Sequence, residues 1–269
     1  MSAGLIQLLR PAPAAPSIED AGQVERMYPY WRRRILVASL VGYALFYFVR
    51  KNLSLAMPEM ERTLGIHKVD LGLFLTLHGL LYGVSKFANG FLGDRTNPRW
   101  FMPLGLLCSA AVNVAFGFSG AAATFGVFWM LNGWFQGMGF PPCARSLTHW
   151  FAPNERGTRF AVWNTSHSVG AALVLVLCSF LVGYGWRLCF LVPAAIATVG
   201  AVYLAMRLRD TPQSLGLPPA ETLYGTGDPE EAPGSGEEAD LHFVTRQVFL
   251  DPIIWTVSIA NFFVYTVRY

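Results

Sequence analysis

Charge is excluded from long stretches of this sequence, and that exclusion decides what the chain can fold into. A helix needs about 20 apolar residues to cross the hydrocarbon of a bilayer. Apolar runs of that order lie near 35–56, 70–92, 101–118, 122–148, 160–183, 187–206 and 252–269. The first six are complete spans, and the seventh runs to the last residue. The chain is 53% hydrophobic and 14% charged, whereas soluble proteins carry about 25% charged residues. It therefore reads as an all-α polytopic membrane protein.

Several classes drop out on the same grounds. The net charge of +3 is too small and too local for a nucleic-acid partner. Cys108, Cys143, Cys178 and Cys189 fall inside apolar stretches without metal-ligand spacing, so they read as core residues, and no metal or cofactor is expected. The first thirty residues are polar and Pro/Ala-rich; Leu5 to Leu9 is too short for a cleavable signal, so the first span serves as an uncleaved one. No nucleophile–base pair or carboxylate pair argues for an enzyme. Asn-x-Ser/Thr matches at Asn52 and Asn164 fall within spans and read as chance.

Basic residues set the expected orientation. Arg32, Arg33 and Arg34 precede the first span, Arg95 and Arg99 follow the second, Arg156 and Arg159 follow the fourth, and Arg207 and Arg209 follow the sixth. On the opposite side Arg62 and Lys68 are offset by Glu59, Glu61 and Asp70. The N-terminus is thus expected in the cytoplasm, as is an acidic, Pro/Gly-rich segment over 210–245 that reads as a flexible linker. Gly79/Gly83, Gly133/Gly137 and Gly170 are expected to let helices pack closely.

Two spans resemble each other. The first carries Tyr43, Tyr47, Arg50 and Lys51; the seventh carries Asn261, Tyr265 and Arg268, and both contain Tyr-x-x-Arg. Counted from Arg34 and from Asp251, at 1.5 Å per residue, both arginines lie about 24–26 Å into the membrane. A buried arginine costs about 2.5–3.5 kcal/mol on insertion scales, and almost no acidic residue lies at comparable depth to offset it. A mobile anion is the natural partner. Guanidinium suits phosphate, because its planar fork donates two parallel hydrogen bonds and stays charged.

Other helices offer polar stripes at helical spacing: His78, Tyr82 and Lys86 in the second span, Asn164, His167 and Ser168 in the fifth, and Asn261, Tyr265 and Arg268 in the seventh. Lys86 and His167 are expected to face a cavity. For His78 and Ser168 a helix–helix hydrogen bond is an equal alternative. Such a cavity would attract a dianionic phosphate, and a histidine titrating near neutral pH would favour the doubly charged form.

The loop Gly90-Phe-Leu-Gly93-Asp94-Arg95-Thr-Asn-Pro-Arg99 resembles the gating loop of the major facilitator superfamily. Longer strings sharpen the likeness: Gly42 to Asn52, Tyr82 to Phe87, Gly133 to Gly139 with Pro141-Pro142-Cys143, Trp163-Asn164 with His167, Asp210 to Ser214 with Gly216 to Pro218, and Val264 to Tyr269. Over about 27–269 these resemble the organophosphate:phosphate antiporters of that superfamily, both the hexose-phosphate transporter and sensor branch and the glycerol-3-phosphate branch.

That resemblance implies a six-helix half-bundle with a seventh helix from a second half. It implies a cytoplasmic tail over 1–30, a bundle over 31–209, a cytoplasmic linker over 210–250 and the first helix of an incomplete second bundle over 251–269. It makes Arg50 and Arg268 paired phosphate-binding arginines, assisted by Lys86 and His167, with Tyr43, Tyr47, Tyr82, Asn164 and Tyr265 lining the pocket. Gly90, Asp94, Arg95 and Arg99 would form the gating loop. An organophosphate would exchange for inorganic phosphate by alternating access in a bacterial inner membrane. The alternative is a hexose-phosphate sensor acting with a sensor histidine kinase. Because the superfamily has twelve helices, this chain is expected to be a fragment or a truncated product.

Overall fold

The computed structural model describes residues 7–225 and 250–268, with side chains described as far as Val264. Two compact units divide the chain, Met1–Gly227 and Asp228–Tyr269.

In the first unit, helix α1 (Ala21–Phe48) opens on Asp20, whose carboxylate accepts from the Gly22 amide at 2.9 Å and satisfies one of the donors a helix start leaves open. Helix α2 (Asn52–Leu64) follows and stops at Gly65, whose φ of 66° is a left-handed conformation that glycine adopts without steric cost. Then come α3 (Lys68–Asp94), α4 (Pro98–Phe118), α5 (Ala122–Gln136), α6 (Phe140–Trp150), α7 (Pro153–Leu181), α8 (Leu188–Arg207) and the single turn α9 (Ala220–Leu223). Asn97 caps α4 through the Arg99 amide, ahead of Pro98 in the first turn, a pairing that suits a helix start.

The six complete apolar runs of the sequence fall on these helices, but two of them are broken. The first, expected over 35–56, is α1 and α2 parted at Val49–Lys51. The fourth, expected over 122–148, is α5 and α6 parted at Gly137–Gly139. At both breaks the chain tightens to hydrogen bonds three residues apart: the Arg50 amide reaches the Tyr47 carbonyl (3.3 Å) and the Met138 amide the Phe135 carbonyl (3.1 Å). Mid-membrane breaks persist only where protein or a cavity satisfies the freed backbone groups.

The packing is close, antiparallel where α1 and α4 meet α8 but parallel where α3 meets α5 and α1 meets α7. α4 runs along α8, α3 along α5, and α1 against both α7 and α8. Two apolar clusters fill the interior. One holds Ile35, Phe46, Val49, Trp150, Trp163 and Leu204; the other holds Leu53, Phe116, Phe125, Trp129 and Phe190. Val49 belongs to the first and Leu53 to the second, so Arg50 sits at their junction. Leu80, Val84 and Phe87 on α3, and Leu173, Val176 and Phe180 on α7, point outward and are exposed. That inversion of the soluble pattern suits contact with lipid.

Glycine allows three of the close approaches expected from the sequence. A Cβ on Gly133 would lie 2.8 Å from the His78 carbonyl oxygen, and one on Gly170 would meet the Ala44 backbone. One on Gly137 would meet Ser85 and the Lys86 amide. Gly79 and Gly83 differ from expectation: both face open space.

The segment read as a flexible linker divides in two. Residues 226–249 lie outside the described residues, but 210–225 packs into the first unit, with Asp210, Leu217 and Ala220 buried. The Ala15 amide donates to the Gln213 carbonyl and the Ile18 amide to the Gly216 carbonyl, both at 2.9 Å. Arg145 grips one Asp210 oxygen at 3.0 Å while the Ala12 amide takes the other at 2.8 Å. The polar N-terminal segment therefore lies against the stretch that follows α8.

In the second unit α10 (Pro252–Arg268) starts on Asp251, whose carboxylate accepts from the Ile253 amide at 2.7 Å.

Candidate functional site

The break between α1 and α2 is held by three asparagines buried in otherwise apolar helices. The Val49 carbonyl, freed by the break, accepts from the side-chain amides of Asn113 on α4 and Asn132 on α5. Asn52 donates to the Asn113 side-chain oxygen at 2.8 Å and to the Cys189 carbonyl at 3.0 Å. Four helices thus converge on one interrupted turn, and the next residue along the chain is Arg50.

Arg50 projects over aromatic faces. Its guanidinium lies 4.0 Å from the centre of the Tyr82 ring and 5.5 Å from that of Tyr47, within range of an attractive cation–π contact. Lys86, one helical turn beyond Tyr82 on α3, places its ammonium 5.8 Å from the Tyr82 ring and 4.4 Å from the Phe140 ring. One tyrosine ring therefore contacts two basic side chains. Among the described residues neither Arg50 nor Lys86 forms an ion pair.

α7 supplies the opposite wall. The His167 ring packs 5.7 Å from the Tyr47 ring, and its Nδ1 is bonded to the Asn164 carbonyl. Ser168 places its hydroxyl 3.2 Å from His167 Nε2, so it too lies at this wall. Tyr43 packs between Tyr47 (5.6 Å) and Trp163 (4.6 Å), and Phe140 lies 5.5 Å from Trp163. Arg50, Lys86, His167, Tyr43, Tyr47 and Tyr82 are thereby brought into one neighbourhood. The Arg50 guanidinium and the Lys86 side chain thus lie together against aromatic rings. Tyr265 and Arg268 share a face of α10 by their spacing, but their side chains lie outside the described residues.

His78 belongs elsewhere. Its ring is buried, donates from Nδ1 to the Trp129 carbonyl at 2.9 Å, and stacks on the Trp129 indole at 5.1 Å. It fastens α3 to α5.

The residues expected to gate lie at the far end of α3. Gly93 packs on Pro141 so closely that a Cβ would lie 2.7 Å from the proline Cβ, whereas Gly90 faces open space. The Asp94 carbonyl accepts from Arg145, but its carboxylate is exposed and pairs with no base among the described residues. The acid that Arg145 grips is Asp210. Arg95 lies over Phe91 at 3.8 Å, and Arg99 donates to the Ala205 carbonyl at 2.9 Å.

Sequence reasoning passed over Asn113, Asn132 and Phe140. The available signal was an asparagine in mid-run, which in a membrane helix needs a partner.

Comparison with known proteins agrees with this architecture. The chain is 41% identical to a probable hexose phosphate transport protein of Chlamydia pneumoniae, over 97% of its own length and 60% of the relative's. It is 43% identical to the membrane sensor protein UhpC of Escherichia coli, over 96% of its length and 59% of that protein's. The chain therefore spans about three-fifths of the curated relatives it matches. Its fold matches a bacterial homologue of the human lysosomal transporter Spinster, in an inward-facing and unoccupied conformation, with a TM-score of 0.64 at 18% identity, covering 85% of this chain and 51% of that one. A family model described as Major Facilitator Superfamily matches residues 39–268. This multi-pass membrane chain belongs to the Major Facilitator Superfamily.

Proposed function

We propose that this chain supplies the N-terminal half of a site for a phosphorylated metabolite, a hexose 6-phosphate or glycerol 3-phosphate, that is exchanged for inorganic phosphate across a bacterial inner membrane. The observation that carries the reading is the Arg50–Tyr82–Lys86 stack, two cations at mid-bundle with no carboxylate between them. In this reading Arg50 and Lys86 share the phosphoryl oxygens, His167 adds a donor, and Tyr43, Tyr47 and Asn164 shape the pocket. Arg268 and Tyr265 would complete it from the second bundle. The N-terminus and the linker lie in the cytoplasm, where Gly90, Asp94, Arg95 and Arg99 border the gate. Alternating access proceeds by rocking of the two bundles.

Binding of glucose 6-phosphate, glycerol 3-phosphate and glucose to the purified chain tests the site. Both phosphates should bind, glucose should not, and Arg50→Lys should weaken the phosphates by about tenfold through loss of the bidentate fork. Equal binding of glucose, or an unaltered Arg50→Lys variant, would overturn the proposal.

The identity to a membrane sensor favours a second reading, in which the same site binds a hexose phosphate and signals to a sensor kinase. Labelled phosphate counterflow in proteoliposomes separates the two, because a sensor binds without exchange.

A further inference from the structure

At the end of the bundle that carries the N-terminal tail, the arginines divide into two groups. Arg32 pairs with Glu155, Arg145 with Asp210, Arg156 with Glu221 and Arg159 with Glu155. Arg33, Arg34 and Arg207 form no ion pair among the described residues, yet they converge. Together with Pro29, Tyr30, Val37 and Tyr203 they line a groove of about 520 Å³ between α1 and α8.

The groove is built rather than accidental. Arg34 is fixed in it: its guanidinium donates to the Met206 carbonyl (2.7 Å), the Arg207 carbonyl (3.2 Å) and the Tyr30 hydroxyl (2.8 Å). It thus closes the C-terminal end of α8, where unpaired carbonyls need donors. Arg33 and Arg207 are exposed, and their side chains make no hydrogen bond among the described residues. Nearby positive charge is uncompensated as well. Burial, with the guanidinium groups of Arg99 and Arg34, pushes Arg209 below its ordinary pKa.

Below the arginines the surface turns apolar. Val37 and Val41 are exposed on α1, and Val199 and Ile196 on α8, with Tyr203 above them. Because α1 runs inward from Arg34 while α8 runs outward to Arg207, these residues continue the groove along the bundle. Three cations above an apolar track match an amphipathic anion. A soluble anion would find the charge but leave the track bare.

We propose that this groove is a binding site for an anionic phospholipid, whose phosphate-bearing headgroup sits among Arg33, Arg34 and Arg207 and whose acyl chains lie along Val37, Val41 and Val199. It is separate from the Arg50 site and does not depend on the reading of that site. Basic pockets at membrane-helix ends take such headgroups.

Native mass spectrometry of the full chain released from detergent micelles tests this, with phosphatidylglycerol and phosphatidylethanolamine of identical acyl chains as probes. Phosphatidylglycerol should be retained about tenfold more strongly, as expected for two or more arginine contacts at a membrane surface. The double variant R33Q/R207Q should lose that preference. Neither side chain holds another element in place, so the fold should persist, and an unchanged melting temperature in lipid-free detergent checks this. Equal retention of the two lipids by the unaltered chain would overturn the proposal. So would an undiminished preference in the double variant, or displacement of the lipid by free glycerol phosphate at equal concentration.

Discussion

The side-chain amide of Asn132 donates to the Val49 carbonyl across 2.8 Å, joining α5 to the last turn of α1 at the residue before Arg50. Val49 is fully buried, so its freed carbonyl has no water to turn to. The interruption that aims Arg50 is therefore held from another helix. An interhelical hydrogen bond of this kind contributes about 0.6–1.7 kcal/mol within a membrane. Asn132→Ala should lower stability by about that much, because Asn113 still serves the carbonyl at 3.1 Å. Affinity for glucose 6-phosphate should fall further than stability alone explains, since Arg50 loses its bearing. Melting temperature and ligand affinity measured on one preparation check this; parallel small losses in both would show that the bond acts on stability alone.

The glycines make a contrast. A Cβ at Gly170 would lie 2.7 Å from the Ala44 Cα, whereas Gly79 and Gly83 face open space on α3. Gly170→Ala should destabilise the bundle by about 1–3 kcal/mol through forced separation of α7 from α1. Gly79→Ala should be neutral or raise stability by up to about 1 kcal/mol, because alanine favours a helix. Melting curves of the two variants beside the parent decide the matter.

How far the fold could be read from the sequence depended on what each signal requires. Apolar runs locate the long helices because exclusion of charge needs no knowledge of neighbours. The breaks at Val49–Lys51 and Gly137–Gly139 escaped because hydropathy averages over them. The Arg50, Tyr82 and Lys86 neighbourhood was legible from helical spacing plus the cost of buried charge. The roles of Asn113 and Asn132 were not, since their partner is a backbone carbonyl on a helix distant in sequence. Residues 210–225 read as flexible from their Pro and Gly. What orders them is pairing with 12–18, and composition is blind to that.

That pairing centres on Asp210. Its carboxylate is buried, takes Arg145 on one oxygen and the Ala12 amide on the other, and its carbonyl accepts from the Trp150 indole at 3.0 Å. Asp210→Asn leaves the half-buried Arg145 without its counter-charge, a change that costs about 3–5 kcal/mol when an ion pair is well enclosed. The N-terminal segment should then detach before the bundle melts. Limited proteolysis should cut near Ala12–Ile18 in the variant at protease levels that spare the parent. Equal resistance in the two proteins would mean that the backbone ladder suffices alone.

Tyr82 offers the most direct test of the proposed anion site. Its ring lies 4.0 Å from the Arg50 guanidinium and 5.8 Å from the Lys86 ammonium. If the π face holds the two cations in place, then Tyr82→Phe keeps that face and should bind glucose 6-phosphate within about threefold of the parent. Tyr82→Leu keeps bulk but removes the quadrupole, and a desolvated cation–π contact of about 2 kcal/mol is lost. Affinity should drop by about tenfold or more, with the melting temperature little changed because leucine still fills the space. Equal losses in the two variants would place the hydroxyl, rather than the ring, in the receptor. No loss in either would remove Tyr82 from the site and leave Arg50 to be positioned by the backbone break alone.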